Sequence, residues 1–223
     1  MTRRLTLIAA LALVALGGFF LYGQRAATGA DPMAAYAQDA ASVDTSMIAD
    51  MTLGDQNAPV KLIEYASFTC PHCANFHAEN FKKLKAEYID TGKVAFTYRE
   101  VYFDRPGLWA SIVARCGENA ESRYFGIAEM LYAQQQDWAR KETPAEIVDS
   151  LRRIGKTAGL ADADLDQCLQ DADNAQALYA YYMKNVQADG IDSTPSFIID
   201  GTKYSNMPWE EFQATLDKAL AEG

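Results

Sequence analysis

The chain has 223 residues, with 20 lysines and arginines against 30 aspartates and glutamates, a formal charge of −10. Hydrophobic content of 49% and charged content of 22% exclude global disorder, and the length fits one large domain, or one domain with an insertion, whose core needs no disulfides. The acidic balance argues against nucleic acid as a partner, and four cysteines are too few for a disulfide-built miniprotein, although their even number matters once the compartment is known.

Arg3 and Arg4 precede an uncharged stretch from Leu5 to Tyr22, which Arg25 closes. This pattern predicts a signal peptide or an N-terminal membrane anchor over residues 1–27. The apolar stretch is long for a signal core and sits at the lower edge of what spans a bilayer, so both remain open. Small residues at Ala26, Ala27, Gly29 and Ala30 offer cleavage points, and the absence of a nearby cysteine excludes a lipid-modified one. Either way the remainder is expected to be exported to an oxidising compartment, where cysteine pairs persist as disulfides.

Residues 28–50, rich in Ala, Asp, Gln and Ser, show no sustained apolar period and predict a flexible linker. A short strand is expected between Met47 and Leu53, and Gly54-Asp55-Gln56-Asn57 with Pro59 marks a turn. Val60–Ala66 predicts a strand buried on both faces. A helix follows Cys70-Pro71-His72-Cys73, with Phe76, Phe81, Leu84 and Tyr88 in its pattern, and stops at Thr91-Gly92. Val94–Val101 is a second strand rich in aromatic and β-branched residues. From about residue 104 to 189 the pattern is helical, with breaks near Gly117, Asp137 to Thr143, Gly159 and Asp173-Asn174. The stripe Leu178, Tyr181, Tyr182 and Val186 is read as core packing. Ser196–Ile199 is a short apolar strand, Asp200-Gly201 a hairpin turn, and Pro208-Trp209 opens a last helix with Phe212, Leu216 and Leu220 on one face. The order predicts an α/β domain over 51–223, its two halves separated by a helical insertion of roughly 85 residues.

The chemistry points to Cys70 and Cys73, placed directly after a strand and at the first turn of a helix. A helix N-terminus offers unpaired amide donors and a positive dipole end, which stabilise a thiolate at Cys70. Pro71 suits the first turn because it lacks only an N–H that has no helical acceptor. His72 adds positive charge or a hydrogen bond, and together these lower the pKa of the exposed thiol. Cys73, a turn further in, is expected to be buried, less acidic and suited to resolve the disulfide. Glu64 interrupts an apolar strand. A carboxyl under the cysteine pair could exchange a proton with Cys73; the alternative is a glutamate paired with a lysine or lying at a strand edge. Thr194-Pro195, just before a buried strand, is either an ordinary trans junction, the commoner state, or a cis turn that frees the Thr194 backbone to pair with an extended peptide.

These residues resemble the bacterial DsbA-type thiol:disulfide oxidoreductases of the thioredoxin superfamily. Leu53-Gly54-Asp55, Ala58-Pro59-Val60 and Glu64 through Cys73 look like that family's active-site region, and Thr194 through Gly201 like its cis-proline loop and hairpin. The resemblance implies a thioredoxin fold interrupted by a helical insertion domain. It assigns Cys70 as nucleophile, Cys73 as resolving thiol, His72 as thiolate stabiliser, Glu64 as proton relay and Thr194-Pro195 as the cis-proline site that binds substrate. Ser193 departs from the pattern, where a glycine is expected. The implied activity is donation of the Cys70–Cys73 disulfide to reduced, unfolded exported proteins, with re-oxidation by a quinone-linked membrane partner, as a periplasmic monomer that is soluble or tethered by its N-terminal segment. No metal or organic cofactor is expected.

Cys116 and Cys168 fall inside the helical block. In an oxidising compartment they most simply pair as a structural disulfide, worth about 4 kcal/mol on the chain-entropy model. The extra bridge of some relatives looks similar; two separate buried thiols are the alternative. A zinc site from all four cysteines is disfavoured, because the second pair lacks Cys-x-x-Cys spacing. His77, four residues past Cys73 on the same helix, could approach the site but is read as a solvated or partly packed helix residue without a role. Two other functions compete: a reductase or isomerase of the same fold, and a non-catalytic peptide-binding, chaperone or metal-carrying module.

Overall fold

The structure, a computed structural model, describes Met33, Tyr36 and residues 40–222. The predicted signal or anchor at 1–27 lies outside the described residues, as does most of the predicted linker before residue 40. The chain divides into two units, 1–35 and 36–223, and every element below belongs to the second. No described helix is long and apolar enough to cross a membrane.

Five strands form one sheet in the order β1-β3-β2-β4-β5: β1 Met51–Leu53, β2 Val60–Ala66, β3 Val94–Glu100, β4 Ser196–Ile199 and β5 Thr202–Ser205. Strand β2 is central, parallel to β3 and antiparallel to β4. Its apolar run follows from that position, since both neighbours cover its backbone and both faces are packed. At its entry, however, Lys61 is exposed, and its Nζ donates to the Ala58 carbonyl at 2.7 Å. The Asp200-Gly201 turn has positive φ at both residues (45° and 83°), as a tight two-residue hairpin requires. The Asp200 carboxylate accepts from the Lys61 N–H at 2.8 Å and so ties the turn back to β2.

Between β2 and β3 lie α1 (Pro71–Glu79) and α2 (Phe81–Leu84), then a π-helical turn, Lys85–Ile89. The single helix expected through Phe76 and Tyr88 is thus interrupted. The wide turn carries Asp90 N–H to the Lys85 carbonyl at 2.8 Å, and Tyr88 and Ile89 are both buried within it. Between β3 and β4 run α3 (Arg105–Ala114), α4 (Ala120–Ala133), α5 (Gln135–Trp138), α6 (Pro144–Thr157), α7 (Asp162–Gln170) and α8 (Ala172–Ala188). They form the helical insertion, and α9 (Trp209–Glu222) closes the fold. Helix α6 starts where Thr143, Pro144 and Glu146 build a complete capping box.

The sheet core joins Leu62, Phe96, Phe197, Phe212 and Leu216, and Phe76 of α1 packs on Phe197 with ring centroids 4.9 Å apart. This aromatic contact seats α1 against the sheet. The insertion is locked on by a buried ion pair. Arg115 donates to both Glu100 oxygens at 2.6 and 2.8 Å, and Tyr124 donates to Glu100 at 2.7 Å. In the stripe read as core on α8, Leu178 and Tyr179 are buried while Tyr181, Tyr182 and Val186 are only partly covered. Tyr181 donates to Asp50, which Arg99 also clamps at 2.8 and 3.0 Å. Asp50, the last residue of the predicted flexible linker, is therefore held in place; the sequence pattern shows no apolar period there because the anchoring is ionic.

Candidate functional site

Cys70 is the N-cap of α1, with extended backbone (φ −80°, ψ 120°), and Pro71 occupies the first helical position. The preceding loop is pinned from the insertion. Gln135 Nε2 donates to the carbonyls of Phe68 and Cys70 at 2.8 and 3.0 Å, and Tyr132 Oη donates to Ser67 O at 3.2 Å. A carbonyl buried at a loop must find such a donor, and the insertion supplies it. Cys70 and Cys73 are both thiols in this structure.

The Cys70 thiol is pulled from 9.0 down to about 5. The Cys73 thiol donating to its sulfur is the largest cause. Burial opposes it, and the Thr194 side chain and the backbone N–H groups of Cys73 and His72 add to the lowering. The helix-terminal amides contribute as the sequence predicts, but the neighbouring thiol contributes more. Cys70 is also less exposed than a free nucleophile suggests, at 8%, against 0% for Cys73. The Cys73 thiol moves the other way. Burial pushes it far above its ordinary value, followed by its bond to Cys70 and the nearby Glu64 carboxylate. Two thiols three residues apart therefore have opposed acidity, the pattern that separates an attacked, leaving sulfur from a protonated partner.

The Thr194-Pro195 peptide is cis, and Cys70 Sγ lies 3.6 Å from the Thr194 carbonyl oxygen. Ser193, in place of the expected glycine, does not have a positive φ, and its carbonyl accepts from Ser196 Oγ at 2.8 Å. His72 is exposed, and its backbone N–H is what reaches Cys70. Glu64 is fully buried on β2, opposite Tyr98 of β3 and Phe197 of β4, so it is neither at a sheet edge nor paired with a lysine. It pairs with His77, whose Nε2 is 2.9 Å from Oε2, and this overturns the solvated reading of His77, which is only 9% exposed. One turn beyond Cys73, His77 shares its face of the helix, and that spacing was the available signal. Gln135 and Tyr132 had none: they lie more than sixty residues from Cys70 in the chain. Cys116 and Cys168 are joined as a disulfide with a Cα–Cα separation of 5.8 Å.

A Cys-x-x-Cys pair at the mouth of a helix, in contact with a cis Thr-Pro loop at one end of a mixed sheet, is the layout of a thioredoxin-fold site. Residues 46–218 match the family model described as Thioredoxin, and the chain belongs to that family. A putative protein-disulfide oxidoreductase of Rickettsia bellii (strain RML369-C) is 34% identical over 173 residues, 78% of this chain and 65% of the relative. Disulfide bond formation protein D of Bacillus subtilis (strain 168) is 24% identical over 193 residues, covering 82% of each chain. Among solved structures, alpha-DsbA1 of Wolbachia pipientis superposes with a TM-score of 0.71 at 29% identity, over 78% of this chain and 92% of that one. The chain spans just under two thirds, 65% and 61%, of the first two Rickettsia relatives.

Proposed function

We propose that this protein is an oxidant of thiols in exported proteins. The observation that carries the reading is the acidity of Cys70, about 5, beside the backbone of Thr194. A substrate thiolate attacks the Sγ of Cys70 in the Cys70–Cys73 disulfide. A mixed disulfide forms and Cys73 leaves. A second substrate thiolate then attacks the substrate sulfur of the mixed disulfide. The substrate disulfide forms and Cys70 leaves as a thiolate, which costs little because that anion is stabilised. Stabilising the reduced form makes the disulfide oxidising, which favours donation over reduction or isomerisation. Thr194 offers its backbone to an extended substrate segment by strand addition. His72 adds its backbone N–H to the thiolate, and Glu64 accepts and returns the proton of Cys73.

In this reading residues 1–27 direct export to the periplasm, as a signal peptide or an anchor, and residues 51–223 work there as a monomer. The reduced site is returned to the disulfide by a quinone-linked membrane partner. The reading is tested by oxidative refolding of a reduced, unfolded protein with catalytic amounts of this one and a chemical re-oxidant. Wild type is expected to accelerate disulfide formation and Cys70→Ser to abolish the acceleration. Equal rates for the two proteins would refute the mechanism.

A further inference from the structure

Under the cysteine pair lies a second buried pair that an oxidised Cys-x-x-Cys does not by itself require. Glu64 Oε2 is 2.9 Å from His77 Nε2, while Glu64 Oε1 is buried and has no hydrogen-bond partner among the described residues. A carboxyl in such a place is costly unless it is neutralised or used. His77 is fixed in orientation. Its ring stacks on Tyr132 with centroids 4.2 Å apart and lies 4.6 Å from the ring of Phe81. The titratable groups facing the pair are Cys73 from α1, Tyr98 from β3 and Tyr132 from α4. The two phenols bond to each other at 2.5 Å, and burial, with neighbouring charges, holds both well above their ordinary range, so they stay neutral. Glu64 acts electrostatically on Cys73, Tyr98 and Tyr132 alike, which places its charge close to the leaving sulfur.

A carboxyl and an imidazole in contact can hold one proton in two arrangements, carboxylate with imidazolium or carboxylic acid with imidazole, and the net charge is zero in both. We propose that His77 is a positioning residue of the exchange reaction, holding Glu64 beneath Cys73 and sharing with it the single proton that Cys73 takes up when the disulfide opens. This rests on the reading of Cys70–Cys73 as the exchanging disulfide. The balance closes without another reactant. Thiolate attack on Cys70 breaks the S–S bond and leaves the electron pair on Cys73. The proton passes from the Glu64–His77 pair to that sulfur, leaving carboxylate and neutral imidazole. When the disulfide re-forms, Cys73 returns the proton to the pair.

The test is stopped-flow reduction of the Cys70–Cys73 disulfide by glutathione between pH 4 and 9, in wild type, Glu64→Gln, His77→Phe and His77→Gln. Glutamine keeps a donor for Glu64 but cannot hold the proton. His77→Gln is expected to fold at a lower melting temperature, to react, under conditions where it is folded, about tenfold or more slowly near neutral pH, and to lose part of the pH dependence. A wild-type rate and pH profile in His77→Gln would overturn the proposal. A second measurement needs no variant. The chain has two histidines, so their ring signals are readily told apart by NMR. Reducing the disulfide at pH 7 is expected to move the signals of His77 or of the Glu64 carboxyl toward their deprotonated positions; if neither moves, the proposal fails. A wild-type disulfide that glutathione does not reduce would sink the exchange reading itself, and it would show before any variant is compared.

Discussion

Cys70 owes its acidity first to a hydrogen bond from a residue that is itself hard to ionise. The Cys73 thiol is the leading donor to the Cys70 sulfur, ahead of Thr194 and the helix-terminal amides. Cys73→Ala removes that donor and is expected to raise the Cys70 pKa from about 5, while Cys73→Ser keeps a hydroxyl donor and shifts it less; thiolate absorbance near 240 nm against pH reports both. Equal values in wild type and Cys73→Ala would assign the acidity to the helix terminus instead. The same group makes the reduced protein sensitive to pH. Its folded value of about 5 lies below the ordinary 9.0. The stabilisation is therefore fully present above pH 9, declines as pH falls between the two values and is gone below about pH 5. At pH 7, two units above the folded value, it amounts to about 3 kcal/mol. The disulfide form lacks this group, so the stability of the reduced form relative to the oxidised form is expected to rise from pH 5 to pH 9. Melting curves whose difference is independent of pH would contradict this. Cys70, Cys73, Glu64 and Thr194-Pro195 were legible in the sequence because each breaks a local rule: thiols at a helix start, a carboxyl in an apolar strand, a proline before a buried strand. His77 gave only its spacing, one turn beyond Cys73, and nothing local paired it with Glu64 on the neighbouring strand.

At the scale of elements, β3 and α3 are joined by chemistry at their ends. Glu100 closes β3, Arg115 follows α3, and Tyr124 of α4 completes the group. Both charged side chains are nearly enclosed, at 7% and 4% exposure for Arg115 and Glu100. Arg115→Leu leaves the Glu100 carboxylate without its cation in a dry site and is expected to cost about 3–5 kcal/mol in urea unfolding. The double variant Arg115→Leu/Glu100→Leu is expected to recover most of it, because no uncompensated charge remains. A double variant as unstable as the single one would show that packing, not charge, holds this junction. Strands β2 and β4 were readable to the residue because their apolar runs end at sharp turn signals. The π turn at Lys85–Ile89 was not, since its apolar residues keep ordinary helical spacing and only the Asp90 N–H to Lys85 carbonyl bond reveals the widened backbone.

For the whole molecule, the order strand, helix, strand, helical block, hairpin, helix follows from the alternation of patterns along the chain. The sheet order β1-β3-β2-β4-β5 does not, because it brings β4 beside β2 across the entire insertion. The insertion meets the site through Tyr132 and Gln135, on α4 and α5. Its disulfide lies elsewhere, joining Cys116 after α3 to Cys168 on α7 across 52 residues. The space there is tight: a Cβ on Gly155 of α6 would stand 2.9 Å from Leu165 Cδ2 of α7. Helix α7 is thus held both by packing and by a covalent tie. A crosslink of this span acts chiefly by restricting the unfolded chain. Cys116→Ala/Cys168→Ala is therefore expected to lower the unfolding free energy by about 4 kcal/mol and to raise the urea m-value, since the freed chain exposes more surface when it unfolds. Because neither cysteine touches the loop that carries Cys70, the rate of glutathione reduction of Cys70–Cys73 is expected to stay within about twofold of wild type under conditions where the variant remains folded. A rate change well beyond that, with the fold intact, would mean that α7 reaches the site through the insertion, and that the second disulfide tunes the first.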